Sequence, residues 1–161
     1  MEQKNSELQI ITCSANETSA LGRSIGAKLM GGDILALSGE LGTGKTCFTG
    51  GVAHGLGVDE NYQITSPTFT LINEYPARFK LCHFDVYRLD GCADLDDLGY
   101  EEYLSGKNVV VIEWAEKIAP IIPRTSIFIN FEYIDENKRK ITIKGLPDRL
   151  KDIGADIKNG G

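Results

Sequence analysis

Apolar positions along the chain fall into two alternating periods. Leu8, Ile10 and Ile11 mark a first strand over Glu7–Thr12. A helix then follows from Asn16 to about Met30, with Leu21, Ile25 and Leu29 on one face at i, i+4 and i+8. Gly31-Gly32-Asp33 ends it. Ile34-Leu35-Ala36-Leu37 is a short continuous apolar run, the mark of a buried parallel strand. Phe48, Val52, Ala53 and Leu56 return to helical spacing. Gly50, Gly51 and Gly55 weaken that helix by about 1 kcal/mol each against alanine, and close packing on a sheet is the expected reason for them.

Strand periods dominate the second half. Gly57–Gln63 reads as a loop, and Pro67 holds Ser66 extended. Thr68–Tyr75 and Lys80–Arg88 alternate as strands about a Pro76-Ala77-Arg78 turn and predict an antiparallel hairpin. On the second of them Leu81, His83, Asp85 and Tyr87 share one face, which is unusually polar for a packed strand. Asp90–Ser105 is acidic with leucines interleaved and predicts a short helix. Asn108–Trp114 is the strongest strand signal, four apolar residues ending in Glu113. Pro120 and Pro123 break the chain, and Ser126–Tyr133 with Lys140–Lys144 predict a second hairpin. The pattern is that of an α/β fold, a three-layer sandwich whose mixed sheet has a parallel core and antiparallel hairpins. Residues 1–146 form one domain in this reading, and 147–161 form a polar, loose tail.

Composition narrows the class. At 161 residues the chain can bury about 68–70% of its unfolded surface without a disulfide or metal staple. No apolar run approaches the ~18 residues of a membrane span, and the N-terminus carries no apolar leader. Cys13, Cys47, Cys82 and Cys92 show no C-x-x-C spacing, so reduced thiols and a cytoplasmic location are expected. The net charge of −6 argues against a protein that itself grips nucleic acid, DNA included. The one dense basic cluster, Lys138-Arg139-Lys140, lies beside Asp135 and Glu136 at a hairpin tip.

The chemistry centres on Gly39-Glu40-Leu41-Gly42-Thr43-Gly44-Lys45-Thr46, a G-x-x-x-x-G-K-[ST] match between a strand and a helix. Its glycines let backbone amides close on phosphate oxygens, and the helix N-terminus adds a partial positive charge. Lys45 is expected on the β- and γ-phosphates, and the Thr46 hydroxyl on Mg²⁺. The alternative is a glycine-rich turn that binds nothing. A nucleoside triphosphatase also needs a carboxylate near the metal, and Glu113 stands at the end of an apolar strand where one is expected. Asp85 is its rival or companion: one binds Mg²⁺ through water, the other orients the attacking water, and the order of the roles stays open. Thr65, Ser66 and Thr68 form a hydroxyl-rich loop of the kind that answers a γ-phosphate, or else a turn with capping hydroxyls. His83, taken alone, reads as a structural hydrogen-bonding histidine. Trp114 follows Glu113 directly and is expected to touch the site or a partner. Guanine specificity is disfavoured. Asn137-Lys138-Arg139-Lys140 lacks the aspartate of Asn-Lys-x-Asp, and Asp96-Asp97-Leu98-Gly99 lies in the acidic stretch.

The ordered motifs Gly39–Thr46, Ser66-Pro67-Thr68-Phe69-Thr70-Leu71, His83-Phe84-Asp85-Val86-Tyr87-Arg88-Leu89 and Ile112-Glu113-Trp114 resemble the TsaE (YjeE) family of small bacterial P-loop ATPases over roughly residues 8–146. The resemblance implies an ATPase of low intrinsic turnover, needed for threonylcarbamoyladenosine modification of tRNA beside the anticodon. It implies the TsaD and TsaB proteins as partners, with tRNA reached only through them and no membrane role. It implies ATP/ADP contacts from Glu40, Leu41, Gly42, Thr43, Gly44, Lys45, Thr46 and Cys47, with Thr12 and Arg139 as further contacts. Mg²⁺ is then expected near Thr46 and Glu113 with Asp85 close by, Lys45, Asp85, Glu113 and Thr68 as the catalytic set, and Ser66-Pro67-Thr68 as a switch-like segment. Many relatives have arginine where this chain has Gly50. A small-molecule kinase would use the same loop but needs a lid with arginines, and only Arg78 and Arg88 lie between the loop and Glu113. A nucleotide-sensing module that does not hydrolyse is the third possibility.

Overall fold

The computed structural model describes residues 5–39, 44–67 and 69–154. The strands are β1 (Ser6–Thr12), β2 (Ile34–Gly39), β3 (Ile72–Tyr75), β4 (Leu81–Asp85), β5 (Val109–Glu113), β6 (Ile127–Tyr133) and β7 (Arg139–Gly145). The helices are α1 (Ala15–Gly26), α2 (Lys45–Leu56), α3 (Ala93–Asp96), α4 (Tyr100–Ser105) and α5 (Pro147–Gly154), with a 3-10 segment over Ala115–Ile121. The strands form one mixed sheet in the order β1-β7-β6-β2-β5-β4-β3. β2 pairs in parallel with β5 and β6, and β5 in parallel with β4. The hairpins β3–β4 and β6–β7, and the pair β1–β7, are antiparallel. The α/β fold with a parallel core and antiparallel margins is therefore the one the apolar pattern predicts.

Strand alternation splits the interior into two cores. Leu35, Leu37, Val109, Val111, Ile129 and Phe131 face α1 and α2 and pack with Ile25, Phe48, Val52 and Leu56. Ile34, Ala36, Phe84, Val110 and Ile112 face the other way, onto Leu95, Ala115 and Ile118. The central strands are apolar on both faces because both are covered. The odd polar face of β4 belongs to the first side: Leu81 joins the α2 core, while His83 and Asp85 continue it towards the start of α2.

The glycines of α2 pack against a helix rather than on the sheet. A Cβ on Gly51 would run into the carbonyl of Ser19, and one on Gly55 into that of Arg23. Gly22 and Gly26 of α1 make the reciprocal approach to the carbonyls of Phe48 and Val52. The four residues form a seam in which two helix backbones touch, and any side chain there would push them apart. Gly50 lies off the seam, with nothing closer to its would-be Cβ than Ile64 at 3.9 Å.

Other boundaries shift for local reasons. α1 begins at Ala15 because the Ser14 hydroxyl accepts the Glu17 amide at 3.0 Å, an N-cap. β3 is confined to Ile72–Tyr75, since Leu71 takes a positive φ of 68° and ends the extended run. The acidic stretch holds two short helices, α3 and α4. The expected loose tail is ordered over 147–154: α5 buries Leu150 and Ile153 in the α1/α2-side core. Leu150 and Ile153 stand three apart on one face of the helix, enough to dock an otherwise polar turn.

Candidate functional site

The site is built where the parallel strands end beneath α2. Gly44 caps α2 with φ 98°, a left-handed conformation that glycine adopts without strain. The backbone then starts the helix at Lys45, so Lys45 and Thr46 stand in its first turn. Glu40, Leu41, Gly42 and Thr43 lie outside the described residues, as does Thr68. Beneath α2, Asp85 closes β4 and Glu113 closes β5, and the two are partners in register across the parallel pair. The sheet thus places both carboxylates at one level, and both are almost fully buried.

Each carboxylate is held from two sides. Thr46 donates its hydroxyl to Glu113 Oε1 at 3.0 Å, while His83 Nε2 pairs with Glu113 Oε2. Ser66 donates its hydroxyl to Asp85 Oδ2, and the Tyr87 amide donates to Asp85 Oδ1 at 3.0 Å. The Asp85 amide in turn donates to the Leu71 carbonyl at 3.0 Å. The loop expected to behave as a switch is therefore laid directly against Asp85.

Lys45 is nearly buried. Its ammonium donates to the Gly39 carbonyl at 2.5 Å and lies 3.3 Å from the centroid of the Trp114 ring. Burial pushes the lysine below its usual 10.5, while Glu116, Glu113 and Asp85 pull the other way. Trp114 reaches this place because it takes φ 64°, a left-handed conformation rare for a residue with a side chain. The turn after β5 thus folds the indole back over the lysine. Tyr87 packs on the same indole, ring centroids 4.9 Å apart. An open cleft of about 760 Å³ runs on from Trp114 along the ends of β2 and β6, past Asn130 and Tyr133.

The outlying predicted contacts fall together at one edge. Thr12 and Arg139 are directly opposite each other on β1 and β7. The Thr12 hydroxyl is buried and bonded to that of Thr18 at 2.7 Å, and Thr18 Cγ2 is the nearest atom to a would-be Cβ on Gly44. Arg139 donates to the carbonyls of Asp135 and Lys138 and lies over the Tyr133 ring. The Cys47 thiol donates to the Ala15 carbonyl, and burial raises its pKa.

The fold and the order of these residues match known proteins. A family model described as threonylcarbamoyl adenosine biosynthesis protein TsaE matches residues 12–141. The chain belongs to the TsaE family. A Treponema pallidum protein named tRNA threonylcarbamoyladenosine biosynthesis protein TsaE is 40% identical over 136 residues, covering 84% of this chain and 99% of its own. A Bacillus subtilis protein of the same name is 38% identical over 152 residues, 94% of each chain. The crystal structure of YdiB from Bacillus subtilis superposes with a TM-score of 0.80 at 32% identity, covering 96% of each chain.

Within the TsaE frame, the donor set can be tested for Mg²⁺. Among the described residues no three of His, Cys, Asp and Glu converge as a metal cluster. Mg²⁺ does not require one: it takes one or two carboxylates, keeps waters and shares substrate phosphates. A hydroxyl on Glu113 and a second carboxylate at the same level are hard oxygen donors that fit it. Two residues of the site carried little sequence signal. Thr18 is one, legible only through its spacing from the Ser14 cap. His83 is the other: the strand pattern set it on the site face and read it as a structural hydrogen-bonding histidine, without naming Glu113 as its partner.

Proposed function

We propose that this TsaE-family chain binds and hydrolyses ATP with Mg²⁺ and serves the threonylcarbamoyladenosine modification of tRNA by acting on the TsaD–TsaB pair. The observation that supports the chemistry is Glu113, a buried carboxylate held against the hydroxyl of the P-loop Thr46 with Asp85 beside it in register. The names of its relatives support the pathway.

In this reading Lys45 leaves the Trp114 ring and the Gly39 carbonyl for the β- and γ-phosphates. Thr46 and Glu113 would hold Mg²⁺. When bound, that ion neutralises charge on the phosphate oxygens. Asp85, tied to Ser66, orients the attacking water. The water oxygen bonds to the γ-phosphorus, the bond from phosphorus to the β,γ-bridging oxygen breaks with its electron pair leaving on ADP, and the water proton passes to the carboxylate side. Of the two arginines a kinase lid could use, Arg78 donates to the carbonyls of Gly26, Ala27, Leu29 and Leu56, and Arg88 lies over the Phe69 ring.

ATP turnover by the purified chain, alone and with TsaD–TsaB, tests the reading. Weak turnover that rises with the pair is expected. Turnover indifferent to the pair would remove the pathway assignment and leave the P-loop chemistry. Lys45→Ala should lose most nucleotide affinity, and near-normal ADP binding by it would overturn the site.

A further inference from the structure

We infer that His83 is a positioning residue for Glu113, fixing the carboxylate at the site when the Thr46 hydroxyl turns away from it to Mg²⁺. The inference rests on the assignment of Glu113 just proposed.

Glu113 is anchored at both oxygens, and the two anchors differ in kind. Thr46 is half-exposed in the first turn of α2 and is itself expected to change partner when nucleotide and metal bind. His83 is fully buried in the middle of β4, between neighbours that pair with β5 on one side and β3 on the other. The sheet fixes its backbone on both sides, and the ring is wholly enclosed, so it lacks the room that an exposed hydroxyl has to turn. Once Thr46 lets go, His83 is the side chain that still grips Glu113. The carboxylate then keeps one oxygen tied and presents the other, Oε1, towards α2.

The second ring nitrogen supports the same reading. His83 Nδ1 is buried and makes no hydrogen bond to any described residue. A histidine that served only packing would leave that polar atom buried at a cost with nothing to offset it, where leucine would fill the space. Among the described residues, the imidazole makes its one side-chain hydrogen bond to the carboxylate that the proposed chemistry uses. Residues that orient a metal-side carboxylate characteristically change metal affinity or activity by about 10–100-fold when replaced.

The test uses the full chain and five variants: His83→Leu, His83→Gln, His83→Asn, Glu113→Ala and the double variant His83→Leu with Glu113→Ala. Two quantities are read. One is ADP affinity by calorimetry with Mg²⁺ and with chelator; the other is kcat and KM for ATP. His83→Leu should keep its affinity in chelator, lose the Mg²⁺-dependent gain in affinity with a matching rise in KM, and drop kcat about tenfold or more. His83→Gln can place an amide nitrogen near the position of Nε2 and should recover most of both; His83→Asn places it near Nδ1 and should not. In a Glu113→Ala background, His83→Leu should change neither quantity further. A His83→Leu protein with the parent's Mg²⁺ gain and kcat would overturn the inference. So would equal losses with and without Mg²⁺, which is the mark of a purely structural role. If His83→Leu does not fold, the Gln and Asn variants decide: Asn equal to or better than Gln overturns it. The underlying assignment fails separately, if Glu113→Ala itself keeps both turnover and Mg²⁺ dependence.

Discussion

At Lys45 a cation is held nearly out of solvent over an indole, with its charge opposed by burial and favoured by Glu116, Glu113 and Asp85. Its folded pKa lies below 10.5, so the sign of the linkage is fixed. Below the folded pKa the ammonium is charged in folded and unfolded chains alike, and the folded state bears the penalty. As pH rises through the folded pKa towards 10.5 the folded chain releases its proton first and the penalty fades. Lys45→Met keeps the apolar stem and carries no charge. It should melt a few degrees above the parent at neutral pH, with the gap closing as pH approaches 10.5, while binding nucleotide poorly. Thermal melts of both proteins across that range check it, and a gap that widens with pH would contradict it. At this scale the sequence was informative where chemistry is local. Lys45 and Thr46 follow from one short motif, and Glu113 from its place after four apolar residues. That Trp114 touches the site was expected from its place after Glu113, but that it lies over Lys45 was not legible, because this depends on a left-handed turn at a tryptophan, and no residue type announces that.

The element that most constrains the site is the α1–α2 pair. The glycine seam sets how close the two backbones stand, and through α2 it sets where Lys45 and Thr46 point. Gly51→Ala should cost about 1–3 kcal/mol, as overpacking does in a filled interior. Gly50→Ala, its neighbour in sequence, faces open space and should stabilise by up to about 1 kcal/mol through helix propensity alone. Urea unfolding of the two variants separates the readings, and a similar response from both would dismiss the seam. Arg78 closes the far end of the same pair, donating to carbonyls at and just past the ends of α1 and α2. Arg78→Ala should lower stability by about 1–3 kcal/mol in the same assay, with no change in the Mg²⁺ dependence of ADP binding. The sequence flagged glycines in α2 as a close approach and assigned it to the sheet. A missing side chain says that something comes near and not what it is. α5 escaped for the opposite reason: two apolar residues in eight give too weak a period to tell a docked helix from a polar end.

For the whole molecule, the strand pattern gave the class and both hairpins, while the order of strands came only from the structure. Leu35 of β2 pairs with Val111 on one side and Ile127 on the other, so the central strand finds both neighbours late in the chain. α5 then closes the α1/α2-side core through Leu150 and Ile153. A chain ending at Leu146 loses both and should be several kcal/mol less stable, since each buried aliphatic removed costs about 2–5 kcal/mol. A denaturant midpoint equal to the full chain's would refute that. The same topology bears on how the protein is made. During synthesis the glycine-rich loop after β2 emerges before β5 and β6, beside a strand whose two edges then lack partners. Gly39, the first residue of that loop, comes to rest against Phe131. Nascent chains therefore carry an unclosed apolar strand until β5 and β6 have both followed it out.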